Sequence, residues 1–301
     1  VVGDIDQRFQ KYLKNVPVMP DVAMKVMSMA DDRIEVSFKE LENVIKVDPG
    51  LSAKILKIAN SAMYARQREI TNIQTAITLL GFKNLRSLVL LVTASNLLTN
   101  VHRTSFYRRF WSHSVHSAFI SRHLCLRFGM KEDSEEAFTG ALLHNIGQVA
   151  FYNTDSERYD EILTRSTAQV EATTETPASS PNKPGLLGLE KEAFGVDHRE
   201  LGASVFESWY FPQSFVDIAR EHGSRNIVSS HKQVILVVSL ADIVADLLGL
   251  GFGQANEAKL AELLPASPAS ESDIAYYREN YLTDIRNDAL FLQCKELFGI
   301  D

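Results

Sequence analysis

Five side chains in this sequence carry chemistry that their neighbours do not explain. Four are histidines: His113 in FWSHS, His144 in LLHNIG, His198 in FGVDHRELG and His222 in IAREHG; the fifth, Asp242, lies inside the apolar run VSLADIVAD. A single histidine on a helix is ordinarily a satisfied structural residue. The aspartate is harder to dismiss, because an unpaired carboxylate within a buried helix is costly. Asp242 therefore requires a cation or a hydrogen-bond donor, and the histidines are the candidates to supply it. Asn145, directly after His144, offers a neutral carbonyl oxygen and no charge. His116 and His123 read as surface or structural residues.

The elements that must position these groups are helices. Val22, Val26 and Met29 share a face, as do Leu41, Val44 and Ile45, and Leu51, Ile55 and Ile58, which is the spacing of amphipathic helices. Asp48 and Pro49 suit the cap and first position of the third. In TNIQTAITLLGFKNLRSLVLLVTASNLL two helical runs meet at Gly81, which can take the left-handed conformation that closes the first. A long helix is expected from about Ser105 to Phe128, carrying His113. Another begins near Ser134, with Glu135 and Glu136 at its positive end, and carries His144 and Asn145. HKQVILVVSLADIVADLLGL contains a β-branched run, but its length and its continuation through Ala241, Ala245 and Leu248 favour a buried helix. The segment STAQVEATTETPASSPNKPGLLG, 166–188, has no aromatic residue and no period, and reads as an exposed, flexible insertion. Residues 255–301 read as two amphipathic helices forming a tail. The expected fold class is all-α.

Composition narrows the function. The chain has 301 residues, 45% hydrophobic and 23% charged, which is ordinary globular usage for one large domain or two smaller ones. There is no run long and apolar enough for a membrane span, and VVGDIDQRFQ lacks the pattern of a secretory signal. The two cysteines, Cys125 and Cys294, have no metal-site spacing, so a reduced, cytoplasmic protein is expected. A formal net charge of -7 argues against a general nucleic-acid binder. The cationic clusters ARQREI and HRTSFYRRFW are short and read as solvated helix ends. The helix pair around Gly81 superficially suggests a DNA-binding helix-turn-helix, yet its second run carries only Lys83 and Arg86 among many Leu and Val residues. Two packed helices explain it better.

Seven longer words make the chain resemble a known family. PVMPDVAMKVM, VIKVDPGLSAKILKIANSAMY, ITNIQTAITLLGFKNLRSLVL, FWSHSVHSAFISRHL, EEAFTGALLHNIGQ, EKEAFGVDHRELGASVFESWYFP and VSLADIVAD span about residues 12–248 in order. They are similar to the HDOD family, a degenerate branch of the HD superfamily of metal-dependent phosphohydrolases. The resemblance implies an N-terminal helical subdomain, residues 1–100, packed on an HD-like core, residues 101–254; the 166–188 segment and the tail over 255–301 fall outside it. In catalytic HD enzymes one metal is held by a histidine matching His113, a His-Asp pair matching His144 and Asn145, and an aspartate matching Asp242. In two-metal relatives further histidines match His198 and the consecutive positions His222 and Gly223. This chain thus departs at Asn145 and Gly223, and it has Gln148 where the active pattern usually has a lysine.

A two-metal site brings about four positive charges, and with Asp242 as the single anionic ligand about three stay uncompensated. One divalent ion on His113, His144 and Asp242 is chemically reasonable: zinc, iron, nickel or manganese. The alternative is that these three groups simply hydrogen-bond one another. On this reading no cofactor is required. The resemblance implies a non-catalytic regulatory module in bacterial signal transduction, acting through protein contacts or ligand sensing. Its partners would be signalling proteins, including an attached or separate receiver or second-messenger domain, and its working surface the groove between subdomain and core, with Lys83 and Arg86 the first residues to test. The rival is a residual metal-dependent phosphohydrolase or phosphodiesterase acting on a nucleotide.

Overall fold

Capping chemistry sets the helix boundaries. The computed structural model describes residues 7–14, 16, 19–29, 38–60, 70–99, 104–175, 185–252 and 257–300, and among these it contains helices and no strand. The first five helices are α1 (Gln7–Leu13), α2 (Asp21–Ser28), α3 (Phe38–Lys46), α4 (Pro49–Ala59) and α5 (Ile73–Thr99). Asp48 Oδ1 accepts from Leu51 N at 2.9 Å, and Pro49 opens α4 as expected. Eight more follow: α6 (Ser105–Arg127), α7 (Ser134–Leu143), α8 (Ile146–Thr154), α9 (Ser156–Glu175), α10 (Leu186–Phe194), α11 (His198–Ser208), α12 (Gln213–Glu221) and α13 (Lys232–Leu247). The β-branched run is indeed helical, and α13 is buried throughout from Val234 to Ala245.

Gly81 does more than end a helix. Its φ of 76° and ψ of 166° lie beyond the left-handed helical region, in a region that essentially only glycine populates. The chain turns a corner of 108° there, between Ile73–Phe82 and Asn84–Ala94. Past the corner, Leu85 and Leu88 through Val92 are all buried. Arg86, expected on a working surface, is buried too, with its guanidinium 6.0 Å above the Phe215 ring. Side chains sharing the Asn84–Ala94 limb with it are committed to the core, so this helix has no face left to lay in a DNA groove. The side chain of Lys83 lies outside the described residues.

Two further expectations need correction. Helix α9 continues to Glu175, so residues 166–175 are helical and not loop; Ala, Gln and Glu favour the helix. Residues 176–184 of that segment lie outside the described residues. The tail has three helical segments where two were expected. The first is α14 (Glu257–Leu263), and the second joins α15 (Glu271–Tyr276) through a π-turn at Tyr277–Tyr281 to α16 (Leu282–Ile285). The third is α17 (Ala289–Phe298), started by Asp288, which accepts from Phe291 N at 2.8 Å. Pro265 and Pro268 interrupt the first pattern, and the Asp288 cap interrupts the second.

The tail lies along α6. His116 Nδ1 meets the Tyr281 hydroxyl at 3.1 Å and His123 Nδ1 meets that of Tyr277 at 2.7 Å, while Trp111 stacks on Phe298 at 4.0 Å between centroids. Both histidines are therefore structural. Burial, with the charges of His113 and Lys295 adding to it, pushes the His116 pKa down to about 4.

Glycine also sets a close helix contact. A Cβ on Gly147 of α8 would fall 2.1 Å from the carbonyl oxygen of His198 and 2.8 Å from the amide of Gly202, both backbone atoms of α11. The two helices touch main chain to main chain, which seats the start of α11 beside the start of α8.

Gly147→Ala should cost about 3 kcal/mol or more in urea-induced unfolding, because neither backbone can yield without moving a whole helix. A cost below 1 kcal/mol would show that the contact gives way. Acid should also weaken the fold. The unfolded chain takes up a proton at position 116 before the folded chain does, so this contribution is full above pH 6.5 and is lost as the pH falls toward about 4. His116→Gln should remove about 2 kcal/mol of the stability difference between pH 7 and pH 5, read by calorimetry at the two pH values.

Candidate functional site

Helices α6, α7 and α13 pack side by side, and each contributes one polar group to a shared space. His113 comes from the middle of α6, His144 from the residue that ends α7, and Asp242 from the middle of α13. Their exposures are 4%, 0% and 8%. Asp242 Oδ1 lies 3.1 Å from His113 Nε2 and 3.3 Å from His144 Nε2. One ligand-type atom from each of the three falls within 4.8 Å of the others.

The tautomer of His144 follows from what lies behind it. Its Nδ1 is 2.6 Å from the carbonyl oxygen of Ala141; a carbonyl only accepts, so Nδ1 carries the proton. Burial outweighs the attraction of Asp242 and lowers the His144 pKa. The neutral ring thus turns a lone pair, not a proton, toward a carboxylate oxygen. Two acceptors facing each other are satisfied by a cation between them, and a histidine held from behind in this way is the usual form of a metal-bound imidazole. This donor set fits a single divalent ion.

His113 differs. Burial works against its charged form, but the hydrogen bond to Asp242 and the charges of Asp246 and Asp242 prevail, and its pKa is raised. Asp246 Oδ1 lies 3.5 Å from its Nδ1. Asp242 is itself held well below the usual carboxylate range: burial opposes ionisation, and the hydrogen bond from His113 with the charge of Lys259 overcomes it.

The other two histidines continue the row. Ring centroids step from His113 to His144 by 5.5 Å, to His222 by 4.8 Å and to His198 by 5.7 Å. His222 donates from Nδ1 to the carbonyls of Ala219 at 2.9 Å and Ile218 at 3.1 Å; burial, with His144 beside it, takes its pKa well below the ordinary value. His198 Nδ1 is 2.7 Å from Glu190 Oε2, which also accepts the His198 amide at 2.9 Å. The Tyr159 hydroxyl donates to Glu190 Oε1 at 2.7 Å. Among the described residues, only His113 and His144 join Asp242 in the clustered ligand set. Asn145 is buried in the turn between α7 and α8, and Gln148 is buried one turn on.

Sequence reasoning missed three charged groups here. Asp246 had a signal, since it follows Asp242 by one helical turn. Glu190 and Lys259 had none: Glu190 looks like Glu192 in GLEKEAF, and Lys259, whose Nζ lies 3.8 Å from Asp242 Oδ2, comes from the tail.

The HDOD domain profile matches residues 16–224, more than half of the chain. The protein belongs to the HDOD domain family. Solved structures agree on the HD-like all-helical fold. An HDOD domain protein from Geobacter sulfurreducens is 21% identical with a TM-score of 0.67, covering 98% of this chain and 99% of that one. A protein from Shewanella amazonensis SB2B, classed by name alone as a phosphohydrolase, is 21% identical with a TM-score of 0.68, covering 97% and 98%. A third, from Marinobacter aquaeolei VT8 and classed by name alone as a signal transduction protein, is 18% identical with a TM-score of 0.69, covering 98% of this chain and 62% of that one. An uncharacterised protein of Treponema pallidum (strain Nichols) is 22% identical over 232 residues; the match takes in 77% of this HDOD chain and 42% of that protein's length. Asp242 lies beyond the matched profile, so its place in the cluster rests on geometry.

The affinity of the HDOD site for a divalent ion should rise as the pH is raised above 6.5, since the ion must displace the proton that the raised pKa of His113 retains. Calorimetric titration with Zn²⁺ in buffers of different ionisation enthalpy should show proton release that is absent in His113→Gln.

Proposed function

We propose that this HDOD protein is a non-catalytic regulatory module of bacterial signal transduction, whose pocket binds one divalent ion or a small ligand and whose output is contact with signalling proteins in the cytoplasm. The observation that carries this reading is the charge of the pocket. Among the described residues, Asp242 is the one carboxylate that meets both His113 and His144, and Asn145, beside His144, is neutral. An ion held there by His113 Nε2, His144 Nε2 and Asp242 would supply a fixed positive charge. Polarising water and a phosphoryl group between two ions needs a bridging anion, and Asn145 does not provide one. No single helix among the described residues is long and apolar enough to cross a membrane.

The second reading is residual phosphodiester hydrolysis, and a specific feature favours it. His198 and His222 are oriented by Glu190 and by backbone carbonyls, an arrangement that suits metal ligands and would survive in a working enzyme. The names of the Shewanella and Marinobacter proteins divide between the two readings.

Purified protein with Mn²⁺ and a phosphodiester such as bis-p-nitrophenyl phosphate should show no enzyme-like turnover. Rates on the order of 1 per second, abolished by His144→Gln, would establish the hydrolase instead. Asn145→Asp adds a negative charge beside His144 and should tighten Mn²⁺ binding by about tenfold while turnover stays low.

A further inference from the structure

Asp242 uses both of its oxygens. Oδ1 faces His113 and His144, and Oδ2 lies 3.8 Å from the ammonium of Lys259. Lys259 sits on α14, beyond the matched profile. Its helix is set in place by other contacts. Leu260 and Leu263 are buried, Glu262 pairs with Arg225, and Glu257 accepts from Arg278 at 2.6 Å. The side chain of Lys259, about a third exposed, reaches from this helix into the pocket.

The space it enters is made by Gly223. A Cβ at that position would lie 2.7 Å from Lys259 Nζ and 3.0 Å from its Cε, so any side chain at 223 would press on the ammonium. The backbone there has φ of +66°, and its amide donates to Ser239 Oγ at 2.8 Å. The residue that leaves the pocket without a side chain at 223 and the lysine that fills the gap are thus a matched pair.

We propose that Lys259 is a built-in cation of this pocket: its ammonium holds Asp242 in the place of a metal charge, competes with a divalent ion for that carboxylate, and links ion occupancy to the seating of α14. The inference rests on the reading that His113, His144 and Asp242 accept a single ion. Two like charges cannot share one carboxylate in a buried pocket without repulsion. An ion that binds the two histidines and Asp242 therefore expels the ammonium, and α14 loses one of its ties. Occupancy at the histidines becomes a change at the surface formed by the tail.

Lys259→Met keeps the length and apolar stem and removes the charge, so the fold is retained; Lys259→Arg keeps the charge. Calorimetric titration with Ni²⁺ should show roughly tenfold or more tighter binding for Lys259→Met than for the wild type, and no such gain for Lys259→Arg. Hydrogen exchange over residues 257–263 should speed up when Ni²⁺ is added to the wild type and should not respond in Lys259→Met. Equal Ni²⁺ affinity in Lys259→Met and wild type, no binding to either, or exchange in α14 that ignores Ni²⁺ would each overturn the proposal. Turnover does not enter these readouts: phosphodiester hydrolysis by the wild type would end the regulatory reading and leave the competition at Asp242 standing.

Discussion

The structure is organised around a carboxylate that must be buried and must stay charged. Placing Asp242 in the middle of α13, a helix buried from Val234 to Ala245, removes it from water. The cost of that position falls sharply when donors and cations surround it and rises steeply when any one is removed. Three different elements are therefore held to it: α6 through His113, the end of α7 through His144, and α14 through Lys259. Their approach is what gathers a row of buried imidazoles around the carboxylate where an apolar core would otherwise be.

Glycine and buried hydrogen bonds supply the tolerances. Main-chain contact at Gly147 and Gly202 brings the start of α11, and with it His198, against the turn that holds Asn145. Glu190 is fully buried, and three donors satisfy it: the His198 amide, the His198 ring and the Tyr159 hydroxyl. A carboxylate so fully committed orients a ring with little freedom to turn. The pocket thus has an ion-compatible end at Asp242 and a rigid, carboxylate-backed end at His198, with His222 between them.

Much of this was legible in the sequence, for a physical reason. Helical spacing, the Asp48 cap and the length of the Lys232–Leu247 run are local properties, and local properties survive folding. The histidines were legible as a group because Asp242 in an apolar helix demanded partners. The family words then said which histidines would answer. What stayed hidden depends on distant segments meeting. Glu190 gains its role only when Tyr159 of α9 and His198 at the start of α11 close on it, and Lys259 only when α14 packs on α13. The tail itself was read too simply, since the π-turn at Tyr277–Tyr281 is governed by contacts with His116 and His123 on another helix. Arg86 was misplaced because a charged residue on a half-apolar helix gives no sign of whether an aromatic ring such as Phe215 will cover it.

The corner at Gly81 has a mechanical meaning. Helix α5 packs with α2, α3 and α4 as well as with α7, and past the corner it meets α7 where Ser87 Oγ and Thr139 Oγ1 are 2.9 Å apart. A right-angled rod with a load on one arm and a bearing on the other is a bell crank: a push along the first arm becomes a sideways displacement of the second. The second arm rests on the helix whose last turn presents His144. The N-terminal helices and the imidazole cluster thus meet through one bent element, whose far arm bears on the helix that ends at His144.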